Sequence, residues 1–367
     1  MRATRRAVLA SALGATTGCL GTVEEPPARS CPVTVDTATA RIGFTGDVML
    51  GRNVNDRWAD GPPTGVWGNT LDRLQSLDGT VGNLECCVAD SGTRRPFRTY
   101  YFRADPDWAI PALAAAGISV ASLANNHVLD FGPAALAETR RHLEQAGIAH
   151  PGAGPDRSTA FEPAVTDIGG VDVAVVACTD QSPSYAATRS GPGTAYTSLS
   201  VESARTRQRL RRVLAAASEV DPDLVVATLH WGPNWEATPS EEQQQTARWL
   251  VDHGVDVVHG HSAHVLQGVE THHGRPIIYD AGDFVDDYVV KDGLHNDRSF
   301  LFELVIEDGR VDRLRLTPVE IVDERVRTAS ERAAKWLRGR MRSLSSAFET
   351  TIKRDEHGLT VPLACAE

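Results

Sequence analysis

From residue 41 onward, short β-rich runs alternate with segments of helical pattern, and this alternation constrains the fold more than any other feature. Runs of valine, isoleucine and leucine bounded by turn residues are predicted strands. They cover residues 42–45, 80–83, 118–123, 171–178, 224–229, 255–258, 276–279, 300–306 and 311–318. Alternation of this kind predicts a layered α/β fold, built either on a doubly wound sheet or on two packed sheets.

Helices are predicted between these strands from their start and stop signals. Residues 133–146, for example, begin with a proline and are followed by Gly147, which favours a helix end. The predicted helices cover residues 106–116, 133–146, 201–217, 239–253 and 328–350. Asp308-Gly309, between the last two strands, predicts a tight hairpin turn.

Side chains of the kinds that bind metal ions follow the predicted strands. After six strands stand Asp47, Glu85, Asn125, Asn126, His127, Asp130, His230, His259, His261, His264, Asp283, Asp286 and Asp287. Because strand C-termini in α/β folds open a crevice for ligands, we expect these side chains to converge. A lone aspartate there usually serves a turn or a helix cap, but three histidines within six residues favour a metal site.

This mixed set of ligands indicates which ions would bind. Carboxylate, amide oxygen and imidazole suit zinc, manganese or iron. Two such ions held close together can polarise a substrate oxygen and generate a hydroxide at neutral pH. We therefore expect divalent metal ions as cofactors, two in number.

The charge balance excludes a general nucleic-acid-binding role. The 367 residues carry a formal net charge of -11, so a polyphosphate backbone would be repelled overall. Hydrophobic residues make up 41% and charged residues 23%, which is typical of a soluble globular fold rather than a disordered chain.

The first residues predict export. Arginines within residues 1–6 precede an apolar run over residues 7–15, as in secretory signals, and this run is too short to span a bilayer. Thr4-Arg5-Arg6-Ala7-Val8-Leu9 resembles a twin-arginine signal. Thr16-Thr17-Gly18-Cys19 resembles a lipobox, which predicts lipidation of Cys19; a plain cleaved signal with an incidental cysteine is the alternative.

The predicted organisation has four parts. Residues 1–19 are a signal peptide, residues 20–40 a flexible tether, residues 41–322 one large domain and residues 323–367 a C-terminal helical extension. Lipidation would anchor this protein to the outer face of the cytoplasmic membrane.

The remaining cysteines do not reveal a pairing. They are Cys31, Cys86, Cys87, Cys178 and Cys365, and an exported protein could oxidise a pair of them. The adjacent Cys86 and Cys87 lack zinc-ribbon spacing, so we predict that they are structural.

Seven motifs, taken in chain order, resemble those of the CapA family, which is associated with poly-γ-glutamate capsule synthesis. The likeness runs from residue 41 to residue 322, and the ordered set is far more specific than any single motif. The motifs are Gly46-Asp47-Val48-Met49-Leu50-Gly51, Asn83-Leu84-Glu85, Leu123-Ala124-Asn125-Asn126-His127-Val128-Leu129-Asp130, Gly152-Ala153-Gly154, His230-Trp231-Gly232, Gly260-His261-Ser262-Ala263-His264 and Gly282-Asp283-Phe284.

The resemblance implies a fold and a set of roles. Its domain is related to calcineurin-like metallophosphoesterases, which implies an α/β fold of that type, with two packed β-sheets flanked by helices. By position, His127 would be catalytic, as a general acid or an oxyanion stabiliser, and Glu85 the bridging carboxylate. The implied metal ligands are Asp47, Glu85, Asn126, His230, His261 and His264.

Two departures from the family pattern affect the ligand set. Ser262-Ala263-His264 stands where many relatives have His-Pro-His. Gly282-Asp283-Phe284 stands where many have Gly-Asn-Phe, so Asp283 is expected as an additional metal ligand. His259 is the weakest candidate, because it ends its predicted strand.

An arginine-rich segment follows Glu85. Arg94, Arg95, Arg98 and Arg103 alternate with aromatic residues, and bidentate contacts from arginine suit carboxylates and phosphates. We therefore predict that this segment binds an anionic substrate; a solvated loop with inward-packed aromatics is the alternative.

Three functions remain open from the sequence. The first is a metal-dependent component of poly-γ-glutamate synthesis, release or anchoring, working with membrane synthase partners. The second is an extracytoplasmic metal-dependent phosphoesterase, and the third is a non-catalytic scaffold lipoprotein that binds the polymer. A complete ligand set favours the first two, in which a hydrolase reaction of the metallophosphoesterase type is expected.

Overall fold

The computed structural model describes residues 33–356 and 358–363. The predicted signal peptide, the lipidation site Cys19, and also Cys31 and Cys365 lie outside these residues. Two β-sheets pack face to face, and a continuous apolar core fills the space between them. Helices cover their outer faces. The predicted α/β class, with two packed sheets flanked by helices, is confirmed.

The described residues form nineteen strands. Their bounds are β1 Thr39–Val48, β2 Gly79–Leu84, β3 Cys87–Val88, β4 Arg103–Ala104, β5 Ile118–Ser122, β6 Ala153–Gly154, β7 Ala164–Ile168, β8 Val171–Thr179, β9 Gly193–Thr194, β10 Leu224–His230, β11 Val257–His261, β12 Val269–His272, β13 Arg275–Ile278, β14 Asp283–Val285, β15 Arg298–Glu307, β16 Arg310–Ile321, β17 Val326–Thr328, β18 Lys353–Arg354 and β19 Leu359–Pro362.

The described helices are short to medium in length. They are α1 Asn53–Trp58, α2 Leu71–Gln75, α3 Pro106–Ala115, α4 Gly132–Gln145, α5 Arg157–Ala160, α6 Ala204–Ser218, α7 Glu241–Asp252 and α8 Glu331–Ser345, with 3-10 turns at Pro63–Thr70, Pro183–Tyr185 and Ser346–Phe348. Within the described part of the chain, none combines the length and apolar character that a bilayer crossing requires.

Strand order explains why the sequence patterns look as they do. The larger sheet runs β18-β19-β16-β15-β1-β2-β5, with β14 paired to β1 and β17 to β16. The smaller sheet runs β12-β13-β11-β10-β8-β7. Strands β8 and β10 are almost continuously apolar because helices cover one face and the other sheet covers the opposite face.

Parallel pairing brings the C-terminal ends of the central strands together. Asp47 of β1 lies opposite both Asn83 of β2 and Asp283 of β14, and His230 of β10 lies opposite His261 of β11. The two sheets meet at the same end, where the Ser262 amide donates to an Asp47 carboxylate oxygen over 3.2 Å. The residue types predicted after the strands therefore converge at one place.

Several element bounds differ from the sequence prediction. Asp47 and His261 lie inside their strands rather than after them, because β1 and β11 each extend by several residues toward the site. Asp283 begins the short strand β14, which was not among the predicted strands. The hairpin at Asp308-Gly309 is confirmed, and both residues have the positive φ that its tight turn requires.

Both ends of the predicted domain extend further than expected. Val33 and Val35, placed by the sequence prediction in the tether, are buried against the core, so the folded domain begins before residue 41. The predicted C-terminal extension is not purely helical, because β19 pairs with β16 and enlarges the main sheet. Helix α8 buries Leu337 and Met341 in the core between the sheets.

Two glycines permit the close approach of backbones beneath the converging strand ends. A Cβ atom on Gly46 would lie 1.9 Å from the carbonyl oxygen of Gly282, and one on Gly260 would lie 2.0 Å from that of Tyr279. These contacts are with backbone, which cannot turn away as a flexible side chain can. Only glycine therefore lets β1 and β11 lie this close to the segment that leads into β14.

We predict opposite effects for two glycine-to-alanine substitutions. Gly46→Ala should lower the free energy of unfolding by about 3 kcal/mol, because the strands must separate to admit the methyl group. Gly339→Ala, in the interior of α8 with open space around it, should raise that free energy by about 0.5–1 kcal/mol. Denaturant unfolding of both variants tests this, and equal effects would contradict the assigned packing.

Candidate metal centre

The converging strand ends form one buried cluster of carboxylates and imidazoles. Asp47 lies at its centre and is fully buried. One of its oxygens is 3.4 Å from Nδ1 of His261 and 3.9 Å from Nδ1 of His230. Its other oxygen is 3.5 Å from Nδ1 of His264.

Glu85 and Asp283 complete the cluster from opposite sides. Glu85, which directly follows β2, places Oε1 3.6 Å from Nε2 of His230. Asp283, the first residue of β14, lies 2.8 Å from Nδ1 of His264. The structure therefore brings together six of the predicted ligands, namely Asp47, Glu85, His230, His261, His264 and Asp283.

Donor atoms within this cluster lie close enough to share metal ions. Two triads have ligand atoms within 4.8 Å of one another, and they are Asp47–His230–His261 and Asp47–Glu85–His264. Asp47 belongs to both triads, with one oxygen toward each. Asp47 is therefore the member that the two triads share, and Glu85, whose Oε1 is also 3.6 Å from Nε2 of His230, stays the predicted bridging carboxylate.

Several buried atoms around the cluster have no hydrogen-bond partner among the described residues. They are the two oxygens of Glu85, Oδ1 of Asn126 and Nε2 of His230. A buried polar atom without a partner costs free energy, so native proteins rarely keep several in one place. Each of these atoms can donate an electron pair to a cation, so the residues fit divalent metal ions well.

The electrostatics of the buried carboxylates also favour a bound cation. Burial, followed by the charges of Asp47 and Asp283, raises the pKa of Glu85 well above its usual range. Burial and the Asp47 charge likewise raise the pKa of Asp283. Carboxylates packed this closely cannot all ionise unless a positive charge lies between them.

Two histidines of the cluster, His230 and His261, are predominantly neutral at physiological pH. Burial, together with the charge of His264, lowers the pKa of His230 well below its usual value. Burial and the charge of His230 lower the pKa of His261 in the same way. Neutral imidazole is the form that binds metal ions, so burial keeps these side chains ready as ligands.

His127 lies beside the cluster and is held by a separate network. Its Nδ1 is 2.6 Å from an oxygen of Asp130, and its Nε2 is 3.9 Å from Glu85. Arg98 is 3.0 Å from the other oxygen of Asp130, which also accepts a hydrogen bond from Tyr185. Asp130 therefore orients the imidazole and leaves Nε2 toward the cluster.

A cavity of about 480 Å³ opens beside His127 and Asn126. Its remaining lining comes from four segments of the chain and includes Arg52, Phe97, Arg98, Tyr100, Asn234, Trp235, Asp287, Tyr288 and Lys291. Three of these side chains are cationic, so the cavity suits an anionic group.

The predicted arginine segment is divided by the fold. Arg98 lines the cavity, whereas Arg94, Arg95 and Arg103 are not among its lining residues. Arg94 and Arg103 stack on the ring of Phe131, and Arg95 stacks on Tyr185. The structure does not gather the four arginines into one patch on the cavity.

Sequence reasoning missed three residues at the site, and one that it considered is excluded. Asn83 donates to Asp47 over 2.7 Å and fixes its carboxylate, a role that parallel pairing of β1 and β2 could have suggested. Arg52 and Lys291 supply cavity charges from segments that no local pattern connects with it. His259 is excluded as a ligand, because its ring nitrogens contact Thr45 and Thr228.

The two adjacent cysteines are structural, as predicted. Cys86 and Cys87 are buried and unpaired, and Cys178 is likewise buried and free. Burial raises the pKa of the Cys87 thiol to about 12, so it stays protonated and inert at physiological pH.

A second group of potential ligands lies on the surface, away from this cluster. Asp252 at the end of α7 contacts His272 over 2.9 Å and His273 over 3.5 Å. His273 is 67% exposed, so solvent can satisfy its nitrogen atoms without an ion. This group serves as a natural reference for non-specific metal binding.

We predict that metal binding to the buried cluster releases protons. Glu85 and Asp283 have raised pKa values and hold protons near neutral pH in the metal-free protein, and a cation must displace them. Affinity should therefore rise with pH, by about tenfold per pH unit for each proton released. Titration calorimetry in two buffers of different ionisation enthalpy measures this release, and a pH-independent affinity would contradict the assignment.

Comparison with known proteins agrees with the motifs. Residues 41–288 match the family described as "Bacterial capsule synthesis protein PGA_cap". A Mycobacterium tuberculosis protein, described as a probable polyglutamine synthesis accessory protein, is 33% identical over 324 residues, which is 83% of each chain. The capsule biosynthesis protein CapA of Bacillus anthracis is 29% identical over 66% of this chain and 59% of its own.

Among solved structures, a hypothetical protein from Thermus thermophilus is similar over 77% of this chain and 100% of its own, with a TM-score of 0.47 and 17% identity.

The family match covers more than half of the chain and contains every residue of the buried cluster. On these grounds the chain belongs to the bacterial capsule synthesis protein family to which CapA also belongs.

Proposed function

We propose that this protein is an exported, lipid-anchored accessory of poly-γ-glutamate biosynthesis, acting in synthesis, release or anchoring of that polymer. The observation that carries the proposal is the family match over residues 41–288, which spans all the motifs that build the buried cluster. The names of the two curated relatives, a polyglutamine synthesis accessory protein and a capsule biosynthesis protein, support the same role.

The proposed location rests on the N-terminal sequence. A twin-arginine motif and the lipobox-like stretch ending at Cys19 would export the chain and attach it by lipid to the outer face of the cytoplasmic membrane. A domain tethered there would meet a polymer as it emerges from membrane synthase partners.

The buried cluster is proposed to hold two divalent cations. Asp47, His230 and His261 would hold one, and Asp47, Glu85 and His264 the other, with Asn126 and Asp283 as further ligands. When bound, such ions polarise a substrate oxygen and lower the pKa of a water molecule. Zinc, manganese and iron all suit this mixed oxygen and nitrogen set.

His127 is proposed to transfer the proton at the reacting bond. Asp130 engages Nδ1, which leaves Nε2 as the atom that faces the cluster and the cavity. Burial lowers the pKa of His127, while the bond to Asp130 opposes that effect. Its Nε2 can exchange a proton with a group bound between the cluster and the cavity, which is what a general acid or an oxyanion stabiliser must do.

The cavity cations are proposed to hold the anionic substrate. Arg98 lies beside His127, and Lys291 stacks over Trp235 with its charge 4.4 Å from the ring centre. Arg52 also lines the cavity, where it pairs with Asp287. A carboxylate of poly-γ-glutamate would thereby be placed next to the proposed proton donor.

A metal-dependent phosphoesterase is the second candidate, because the same cations and His127 suit a phosphoryl group. The third is a polymer-binding scaffold without catalysis. The partner-free donor atoms of Glu85 and His230 favour a working metal site over a scaffold.

We predict that the metal-loaded full chain binds or shortens poly-γ-glutamate and leaves simple phosphate esters intact. His127→Gln should abolish shortening without loss of metal, because His127 supplies a proton and not a ligand. Polymer length by size-exclusion chromatography and release of nitrophenol from a phosphate ester provide the two measurements.

His142→Gln is the matched control, since this histidine lies on α4 outside the cavity lining. Turnover of the phosphate ester with no effect on polymer would favour the phosphoesterase. Binding of polymer that persists unchanged after removal of all metal, without shortening, would favour the scaffold.

A further inference from the structure

A second groove, which we call the arginine groove, lies on the outer side of the smaller sheet. Its volume is about 650 Å³, and it lies between α6 and the loops around α5 and β9. Five arginines and one aromatic ring account for most of its lining, namely Arg157, Arg189, Arg205, Arg209, Arg212 and Phe161. None of the described residues that line it is acidic, although the whole chain has a net charge of -11.

The arrangement of α6 concentrates this charge on one face. Arg205, Arg209 and Arg212 are four and three residues apart, so they point to the same side of the helix. Leu210 and Leu214 occupy the opposite side and pack on the sheet, whereas Val213 lies at the edge of the groove. Like charges at this spacing repel one another and destabilise the helix.

The helix dipole adds to this repulsion. Arg205 lies in the first turn of α6, where the free amide groups already carry positive charge, and this turn has no acidic residue. Burial and the charges of Arg205 and Arg157 lower the pKa of the Arg209 guanidinium. The groove therefore holds positive charge that its own surroundings leave uncompensated.

The contacts within the groove leave its charged groups available for a ligand. Arg157 donates to the carbonyl of Ala187, and Arg209 donates to that of Tyr196, which fixes both guanidinium groups. Among the residues that the structure describes, no carboxylate forms an ion pair with any of the five arginines. Fixed guanidinium groups with free N–H donors suit bidentate binding of carboxylates.

One loop connects the arginine groove with the cavity of the metal centre. Tyr185 packs at 5.1 Å against Arg98, which lines the cavity. Arg189, four residues further along, lines the arginine groove. Four residues span at most about 14 Å, so a single extended ligand could contact both places.

We propose that the arginine groove binds successive carboxylates of an anionic polymer whose reacting segment occupies the cavity of the metal centre. This inference rests on the proposed function, which supplies a polycarboxylate as the substrate. It places the polymer at a binding site that the sequence did not predict, because the arginines of the groove are distinct from those predicted after Glu85.

Two other anionic partners fit the groove less well. Nucleic acid would require a free aromatic platform for base stacking, but Arg209 already covers the ring of Phe161 at 5.0 Å. An anionic membrane would require exposed apolar side chains to insert, and the exposed large apolar residues of the described chain all lie elsewhere.

The test compares two variants of the full chain that lose the same charge. Arg205→Gln/Arg209→Gln/Arg212→Gln removes three charges from the groove, and Arg332→Gln/Lys335→Gln/Arg342→Gln removes three from the exposed face of α8. Anisotropy of fluorescent poly-γ-glutamate gives the affinities across a range of salt concentrations. The groove variant should bind at least about tenfold more weakly and with less salt dependence, while the α8 variant should match the wild type.

Arg205→Gln/Arg212→Gln is the control for misfolding of the triple variant. It keeps the hydrogen bond from Arg209 to the carbonyl of Tyr196 and should still weaken binding. Equal polymer binding by the wild type and both groove variants would contradict the assignment of the arginine groove as a polymer-binding site. The proposed function would then be unaffected. Groove-dependent binding of polyphosphate or phosphatidylglycerol vesicles, with no binding of poly-γ-glutamate, would overturn the ligand class and the proposed function together.

Discussion

Everything at the functional end of this molecule depends on burying carboxylates against one another. Asp47, Glu85 and Asp283 lie in one buried cluster, where burial raises the pKa of all three and the Asp47 charge raises those of Glu85 and Asp283 further. Proteins rarely keep such an arrangement unless a positive charge offsets the repulsion. The imidazoles of His230 and His261 cannot supply it, because burial holds them neutral. A bound divalent cation would resolve this conflict, and for that reason we propose that the cluster is a metal centre.

The fold makes this arrangement possible through pairing of parallel strands. Register alone sets Asp47 beside Asp283 and His230 beside His261. Glycines at positions 46 and 260 then let β1 and β11 lie close to the segment that leads into β14. The buried charges lower the stability of the strand ends, whereas the apolar core between the sheets stabilises the rest of the fold.

The sequence predicted those parts of the structure that depend on local patterns. Apolar runs located the central strands, and helix signals located α3, α4, α6, α7 and α8 to within a few residues. Because parallel strands end at the same edge of a sheet, the convergence of Asp47, His230 and His261 was also predictable. The CapA resemblance supplied the expected roles of Asn126 and His127. Both residues follow a predicted strand, but their local sequence does not indicate a function.

Other features depend on contacts between distant parts of the chain, and local patterns do not encode them. The pairing of β19 with β16 joins the end of the chain to the main sheet, which no periodicity indicates. The arginines after Glu85 looked like one patch, but stacking on Phe131 and Tyr185 directs three of them away from the cavity. The arginine groove was missed because Arg157, Arg189 and Arg205 belong to three separate segments.

Elemental analysis of bound metal in the purified full chain tests the central claim most directly. Two divalent ions per chain are expected, with loss of both in Asp47→Ala and of at least one in His261→Ala, because Asp47 belongs to both triads. His272→Ala/His273→Ala, which removes the surface group, should leave the metal content unchanged. A folded chain that retains no metal under any loading condition, or loses it only with the surface group, would contradict the account.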